Sequence, residues 1–352
     1  MTKRTRGVVI AVLAIIASLG AWLYACLWVP VGAPAAVGAP AAVGRGRTVV
    51  RFTVGSGEPA REAGRRLRAA GMIRSAFAFR VAAAWGDGWR QVRAGDYALR
   101  RSMSALEILR TFERGRVIEE WITVPEGFAL WQVAGLLEAK GLGWGEDFLG
   151  AARSPGEFAT DSPLPTDSLE GYLFPDTYKV GRDAKAPRTL VRMMLARFDE
   201  VVWRGLLGGQ APGSSLHDVI TLASLVEGEA RLDAERALIA GVLSNRLKRG
   251  MMLQCDATVQ YALGPGNHKE RLTYADLTIA SPYNTYLHPG LPPGPINSPG
   301  RTSIEAVLHP ADVPYLFYVA RPDGSHVFSR TAAEHERAVA RVRAQRRAQE
   351  TP

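Results

Sequence analysis

Only two cysteines occur in the 352-residue chain, and Cys26 falls inside a long apolar N-terminal run. No disulfide framework is therefore available to the folded part, which must draw its stability from burial. The six histidines are scattered without metal-ligand spacing. No H-E-x-x-H, phosphate loop, G-x-S-x-G or dinucleotide fingerprint occurs either. A metallopeptidase, an NTPase, a serine hydrolase and a nicotinamide enzyme are thus disfavoured, and neither metal nor cofactor is expected. Lysine is also scarce, so the formal charge of +9 rests mainly on arginine. No basic helix or stripe interleaves aromatics, which argues against nucleic acid as a partner. The densest basic stretch, Arg337, Arg341, Arg343, Arg346 and Arg347 mixed with glutamates, reads as a solvated terminal helix. Residues 341–352 are taken as a basic tail.

What is present begins with the uncharged run 7–29, GVVIAVLAIIASLGAWLYACLWV. As a helix it would reach ~34 Å, enough to span a bilayer core. A cleavable signal peptide has a shorter apolar region. Lys3, Arg4 and Arg6 precede the run, so the positive-inside rule predicts a cytoplasmic tail (1–6), one transmembrane helix and an ectodomain outside the inner, cytoplasmic membrane. Leu23-Tyr24-Ala25-Cys26 only faintly resembles a lipoprotein cleavage box, and lipidation of Cys26 stays open. The unit APAAVG then occurs twice, at 33–38 and 39–44. Alternating Ala, Pro and Gly cannot build a core, so 30–47 reads as a tether.

Residues 48–155 contain a weak internal repeat offset by 70 positions. Phe52-Thr53-Val54 with Gly57 aligns with Ile122-Thr123-Val124 with Gly127, and Leu67, Ala69 and Gly71 align with Leu137, Ala139 and Gly141. Each copy reads as a strand, a turn and an amphipathic helix ending at a glycine. The pattern resembles the opening of a LysM glycan-binding module, although a strand–turn–helix is common and plain scaffolding fits it better. From Gly95-Asp96-Tyr97 to Gly115 a further strand and helix complete the first copy.

Val219, Ile220, Ala223, Val226 and Ala230 recur at helical spacing, which predicts a helix over 215–231. Glu227 falls on the shoulder of that apolar stripe, whereas Glu229 lies about 200° around and is expected to face elsewhere. A carboxyl group beside apolar walls holds its proton toward neutral pH, as a general acid must. An edge glutamate paired with Arg231 or Arg236 fits the same periodicity. A second helix, capped at Asp233, buries Leu238, Ile239, Val242, Leu243 and Leu247, with Asn245 and Arg246 as structural donors. Beyond Gly250, Gln254, Asp256 and Thr258 alternate; in an extended segment they would share one polar face toward sugar hydroxyls, or toward solvent. Residues 281–300 hold six prolines and three glycines. This stiff loop fixes Tyr283, Asn284, Thr285 and Tyr286 at little entropic cost, a setting suited to stacking on a pyranose and bonding its substituents. Glu170, within SLEGYLFPDTY (168–178), mixes acid and aromatics in the same style.

These blocks together resemble the endolytic murein transglycosylases, the MltG or YceG-like family. The resemblance is carried by the anchor, the LysM-like region, LEGYLFPDTY (169–178), LASLVEGEA (222–230), ERALIAGVLSNRL (235–247), MLQCDATVQYALG (252–264), SPYNTYLHPGLPPGPINSPG (281–300) and HPADVPYLFYVARPDGSHVFSRTAAEH (309–335). It departs at Cys255, where Ser or Thr is usual, and at Ala257, where Pro is usual. The resemblance implies an α+β fold: one transmembrane helix, a small LysM-like α/β region, and a catalytic domain over 160–340. It implies cleavage of the MurNAc-β-1,4-GlcNAc bond inside nascent peptidoglycan strands, leaving a 1,6-anhydroMurNAc end, with Glu227 as the catalyst. It places Glu170, Gln254, Asp256, Thr258, Tyr283, Asn284, Thr285 and Tyr286 at the substrate. Expected partners are glycan strands, the membrane and cell-wall synthases (penicillin-binding proteins). A non-catalytic peptidoglycan-binding scaffold and a lysozyme-type hydrolase are the rival expectations.

Overall fold

A computed structural model describes residues 3–31, 49–85, 89 and 92–350. Nearly all of the expected tether at 30–47 lies outside the described residues. The chain divides into two compact units, Met1–Glu120 with Lys179–Ala186, and Trp121–Tyr178 with Pro187–Pro352.

The first unit opens with helix α1 (Lys3–Trp28). Its stretch Thr5–Trp28 is long and apolar enough to cross a membrane, with a hydropathy of 2.4. Most of its large apolar side chains, Val8 to Trp28, are exposed, while Cys26 and Leu27 join the core of this unit. Strand β1 (Val49–Val54), helices α2 (Ala60–Ala69) and α3 (Ala76–Ala84), strand β2 (Gly95–Arg100) and helix α4 (Ala105–Glu113) follow. β1 and β2 pair antiparallel, with Val49 opposite Arg100 and Val54 opposite Gly95. Alternation sends Phe52 and Val54 inward onto Leu67, Phe79 and Phe112. The outward Thr53 donates to Asp96 at 2.5 Å. Helix α4 starts where it does because Ser104 and Glu107 close a capping box, at 3.2 and 2.7 Å.

The same β-α-α-β order recurs in β3 (Glu119–Thr123), α5 (Leu130–Ala139), α6 (Gly145–Ala152) and β4 (Thr177–Gly181), with β3 paired to β4. Leu67 and Leu137 occupy equivalent, fully buried positions. Gly71 and Gly141 both end their helices at φ +66°. The expected boundary near 155–160 does not coincide with a unit boundary. Val124 N–H donates to the Asp176 carbonyl, and Gly127 N–H to the Ser298 carbonyl, at 2.9 and 2.8 Å, so 121–178 pack within the C-terminal unit.

Helix α7 (Ala186–Phe198) continues into a π-helical stretch, Asp199–Leu206. Helix α8 (Leu216–Glu229) is capped by Ser215, which accepts from Asp218 N–H at 3.0 Å. From Val219 to Val226 every residue is buried, because neighbours cover α8 on all sides. These are α9 (Arg236–Lys248), α10 (Asp256–Leu263) and α11 (Arg301–Leu308). Ile239, Val242 and Leu243 are buried as the periodicity requires. Arg246 and Asn245 bond carbonyls of Leu316 and Val313, both at 2.6 Å. The hairpin β5 (Phe317–Ala320) and β6 (His326–Ser329) and the largely exposed helix α12 (Ala332–Glu350) close the chain.

Candidate active site

A cavity of about 1060 Å³ opens in the C-terminal unit. The segment around the start of α5 contributes Gly127, Trp131 and Gln132, the end of α8 contributes Gly228, Glu229 and Arg231, and α10 with its following loop contributes Asp256, Gln260, Tyr261 and Lys269. Trp131 lies 4.8 Å from Tyr261 between ring centroids, and Tyr261 lies 4.8 Å from Tyr283, so three aromatic rings run in series. Among the described residues no group of three His, Cys, Asp or Glu side chains could hold a metal ion.

Glu227 sits in the last turn of α8, its side chain 8% exposed. Apolar walls were expected around its carboxyl, yet polar donors meet it. Arg236 Nη1 lies 3.2 Å from Oε1, and Oε2 accepts from Gly300 N–H at 2.9 Å and Ser303 Oγ at 2.8 Å. Arg236 also donates to Ser303 Oγ at 2.5 Å, which turns that hydroxyl's proton toward Glu227. The arginine pairing that the periodicity allowed is therefore present, with Arg236. Glu227 does not line the cavity directly; its neighbour Gly228 does.

Glu229 corrects an expectation, because it lines the cavity rather than facing away. It ends α8, and α10 wraps the open end of that helix. Burial and the adjacent Asp256 push its carboxyl up to about 7. Its oxygens accept from Ala257 N–H at 3.3 Å and Tyr318 OH at 3.2 Å.

Glu126 was missed. In Pro125-Glu126-Gly127, a charged residue in a Pro/Gly turn reads as plain solvent-facing loop. That turn is bonded to the strand-like run 297–300: Gly127 N–H reaches Ser298, and Ser298 N–H reaches Phe128 at 2.9 Å. The Glu126 carboxyl lies where a side chain on Gly300 would begin, so a larger residue at 300 would displace it. Partial burial and the Glu227 carboxylate push it above the usual range, while Arg236 pulls it down.

The remaining expected contacts divide. Gln254 and Asp256 are exposed, and Asp256 lines the cavity, but the three alternating residues share no strand face. Gln254 turns the chain at φ +53°, and α10 begins at Asp256. Thr258 is fully buried and pairs with Thr285 at 2.9 Å, while Thr285 accepts from Cys255 N–H at 3.0 Å. Cys255 is itself buried, and burial pushes its thiol up. Asn284 is also fully buried, donating to the Leu277 and Ile279 carbonyls at 3.0 and 2.9 Å. These three polar residues hold the loop together instead of facing the cavity. Tyr286 donates to Asp256 at 2.6 Å, and Tyr283 supports Tyr261. Glu170, only 5% exposed, lies behind the cavity: its carboxyl accepts from Leu130 N–H at 3.1 and 3.2 Å and from Tyr261 OH at 3.3 Å. It fixes the start of α5 and the Tyr261 ring.

The fold is thus a mixed α and β chain with a twice-used β-α-α-β unit and a polar cleft flanked by glutamates. The chain belongs to the YceG-like family, which it matches over residues 52–341. It is 44% identical over 170 residues to the endolytic murein transglycosylase of Bacillus subtilis (strain 168), covering 48% of this chain and 47% of that protein. It is 31% identical over 319 residues to the endolytic murein transglycosylase of Streptococcus pneumoniae (serotype 2, strain D39), covering 82% of this chain and 58% of that one. The matches thus span about half the length of these curated relatives. The crystal structure of a YceG-like protein from Listeria monocytogenes superposes with a TM-score of 0.54 at 31% identity, covering 82% of this chain and 99% of that one.

Proposed function

We propose that this chain is an endolytic lytic transglycosylase of peptidoglycan, with Glu227 as its acid/base group. The similarity to the pneumococcal endolytic murein transglycosylase, 31% identity across 82% of this chain, carries the reading. In the proposed reaction the β-1,4 bond after MurNAc breaks inside a strand, and the sugar's own 6-hydroxyl closes a 1,6-anhydro ring at C1. Hydrolases need a second carboxyl group to deliver or replace water. Here the nucleophile belongs to the substrate, so proton transfer is the protein's main covalent task. The rings of Trp131 and Tyr261, backed by Tyr283, offer apolar faces to pyranose rings, and Gln132, Gln260 and Asp256 offer partners for hydroxyl and acetamido groups.

The β-α-α-β order is consistent with a LysM-like glycan-binding role for 48–155. The exposed apolar surface of α1 suits lipid better than water. Lys3, Arg4 and Arg6 before the apolar span favour a cytoplasmic N-terminus and a catalytic unit outside the cytoplasmic membrane. Cell-wall synthases, which make the strands such an enzyme would cut, are the proposed partner class.

The test substitutes Glu227→Gln in the full chain in detergent, acting on isolated glycan strands. Binding and melting temperature should persist while anhydro ends fall by ~10³–10⁴-fold, the upper range for general acid–base help. Glu229→Gln is the decisive comparison. If it abolished turnover while Glu227→Gln did not, the catalyst would be Glu229.

A further inference from the structure

Resting on the transglycosylase reading but dividing the acid/base role it gives Glu227, we propose that Glu126 is a second proton-transfer group of the same reaction: it holds the proton that the leaving oxygen receives, while Glu227 takes the proton of the 6-hydroxyl. Three observations converge on it.

The first is how fully Glu227 is engaged. A carboxylate offers about four lone-pair sites. Arg236 occupies one on Oε1, and Gly300 N–H and Ser303 occupy two on Oε2. One site on Oε1 is left, enough to accept a proton from an incoming hydroxyl.

The second is position. Gly300 connects the two residues: its N–H binds Glu227, and the Glu126 carboxyl rests on its α-carbon. Gly127, the next residue, faces Glu227 Cγ, at 3.6 Å from where a side chain on Gly127 would begin. The residues that follow each glutamate, Gly127 and Gly228, both line the cavity. Neither carboxyl lines the cavity itself, but each glutamate stands next in the chain to a glycine of its wall, and the two share Gly300 and Gly127 as neighbours.

The third is availability. Glu126 is exposed and has no hydrogen-bond or ion-pair partner among the described residues, unlike Glu227, Glu229 and Glu170. The charged groups acting on it are Glu227 on α8, Arg236 on α9 and Asp233 just before it. Burial, Glu227 and Asp233 favour its protonated form, and Arg236 opposes them.

The step then closes without water or redox change. The Glu126 proton passes to the glycosidic oxygen as its bond to C1 breaks. The 6-hydroxyl oxygen bonds C1 while its proton passes to Glu227 Oε1. Return of that proton from Glu227 to Glu126 restores both groups.

Full-length Glu126→Gln and Glu126→Asp are assayed on glycan strands across pH, with melting temperatures and with Glu227→Gln alongside. Glu126→Gln should keep its melting temperature, lose about 10²–10³-fold in kcat/KM, and lose the alkaline limb of the pH profile. Glu126→Asp keeps a carboxyl one methylene shorter, and should recover part of the rate together with that limb. Glu126→Gln within about threefold of the parent, or a rate loss with the alkaline limb unchanged, overturns the assignment while leaving the transglycosylase reading intact. A parent enzyme that makes no anhydro ends overturns that underlying reading and this assignment with it.

Discussion

Glu170 carries a carboxyl group where ionisation is costly. Burial pushes it up to about 8, and the donors Leu130 N–H and Tyr261 OH only partly offset that. Its folded value lies above the ordinary 4.5. Its contribution to stability is therefore complete below about pH 4.5 and is lost as pH rises through about 8. The loss attributable to this group is on the order of 3–5 kcal/mol. Urea unfolding at a series of pH values should show the decline, and Glu170→Gln should flatten it; an equally steep slope in the variant would contradict this account. Asn284 makes a different prediction. Asn284→Ala strands the Leu277 and Ile279 carbonyls and should cost ~1–3 kcal/mol. Melting temperature and activity should fall together; activity lost at unchanged melting temperature would return Asn284 to the substrate. At this scale the sequence showed polar residues but not which way they point. Helical period placed Glu227 at the edge of the buried face of α8, but not the Arg236, Gly300 and Ser303 donors that meet its carboxyl. Thr258, Asn284 and Thr285 were not legible, since a loop has no period and their partners lie up to 30 positions away.

The elements that form the cleft make their own prediction. Trp131 projects from α5 onto Tyr261 of α10, and Tyr261 onto Tyr283 of the proline-rich loop. Under the proposed function, Trp131→Ala should raise KM about tenfold, equivalent to ~1.4 kcal/mol of lost sugar stacking, with kcat little changed. A fall in kcat at constant KM would mean that the ring positions the reacting bond instead. Trp131 drew no attention in the sequence because a tryptophan at a helix start resembles any core residue; its meeting with Tyr261 is long-range. Helices α8 and α9, by contrast, appear where their apolar spacing sets them, but Asp233 does not cap α9: it sits in a 3-10 turn before the helix and pairs with Arg236. The extended reading of 254–258 failed on one backbone angle: Gln254 at φ +53° breaks the strand alternation and lets Asp256 open α10. Glu229 was misassigned because a helical wheel assumes a helix flanked on one side, whereas α8 is enclosed and its last turn meets the cleft around more of its circumference.

At the scale of the molecule, α1 sets a simple expectation. Its outward apolar side chains have no partner among the described residues, so removing residues 1–30 should yield a protein soluble without detergent. A reporter fused after Pro352 should be active only outside the cytoplasm; a cytoplasmic signal would reverse the proposed topology. The strand–helix opening of each repeat was legible from a 70-residue offset, but its second helix and its partition between two units were not; the partition depends on hydrogen bonds between Gly127 and Ser298 and between Val124 and Asp176. The proposed chemistry is tested most directly by mass spectrometry of the products made by the full chain from long, uncapped glycan strands in heavy-oxygen water. An endolytic transglycosylase predicts internal fragments ending in 1,6-anhydroMurNAc, each lighter by one water than a reducing end and free of the heavy isotope. Fragments with reducing ends that carry heavy oxygen would show a hydrolase and contradict the account.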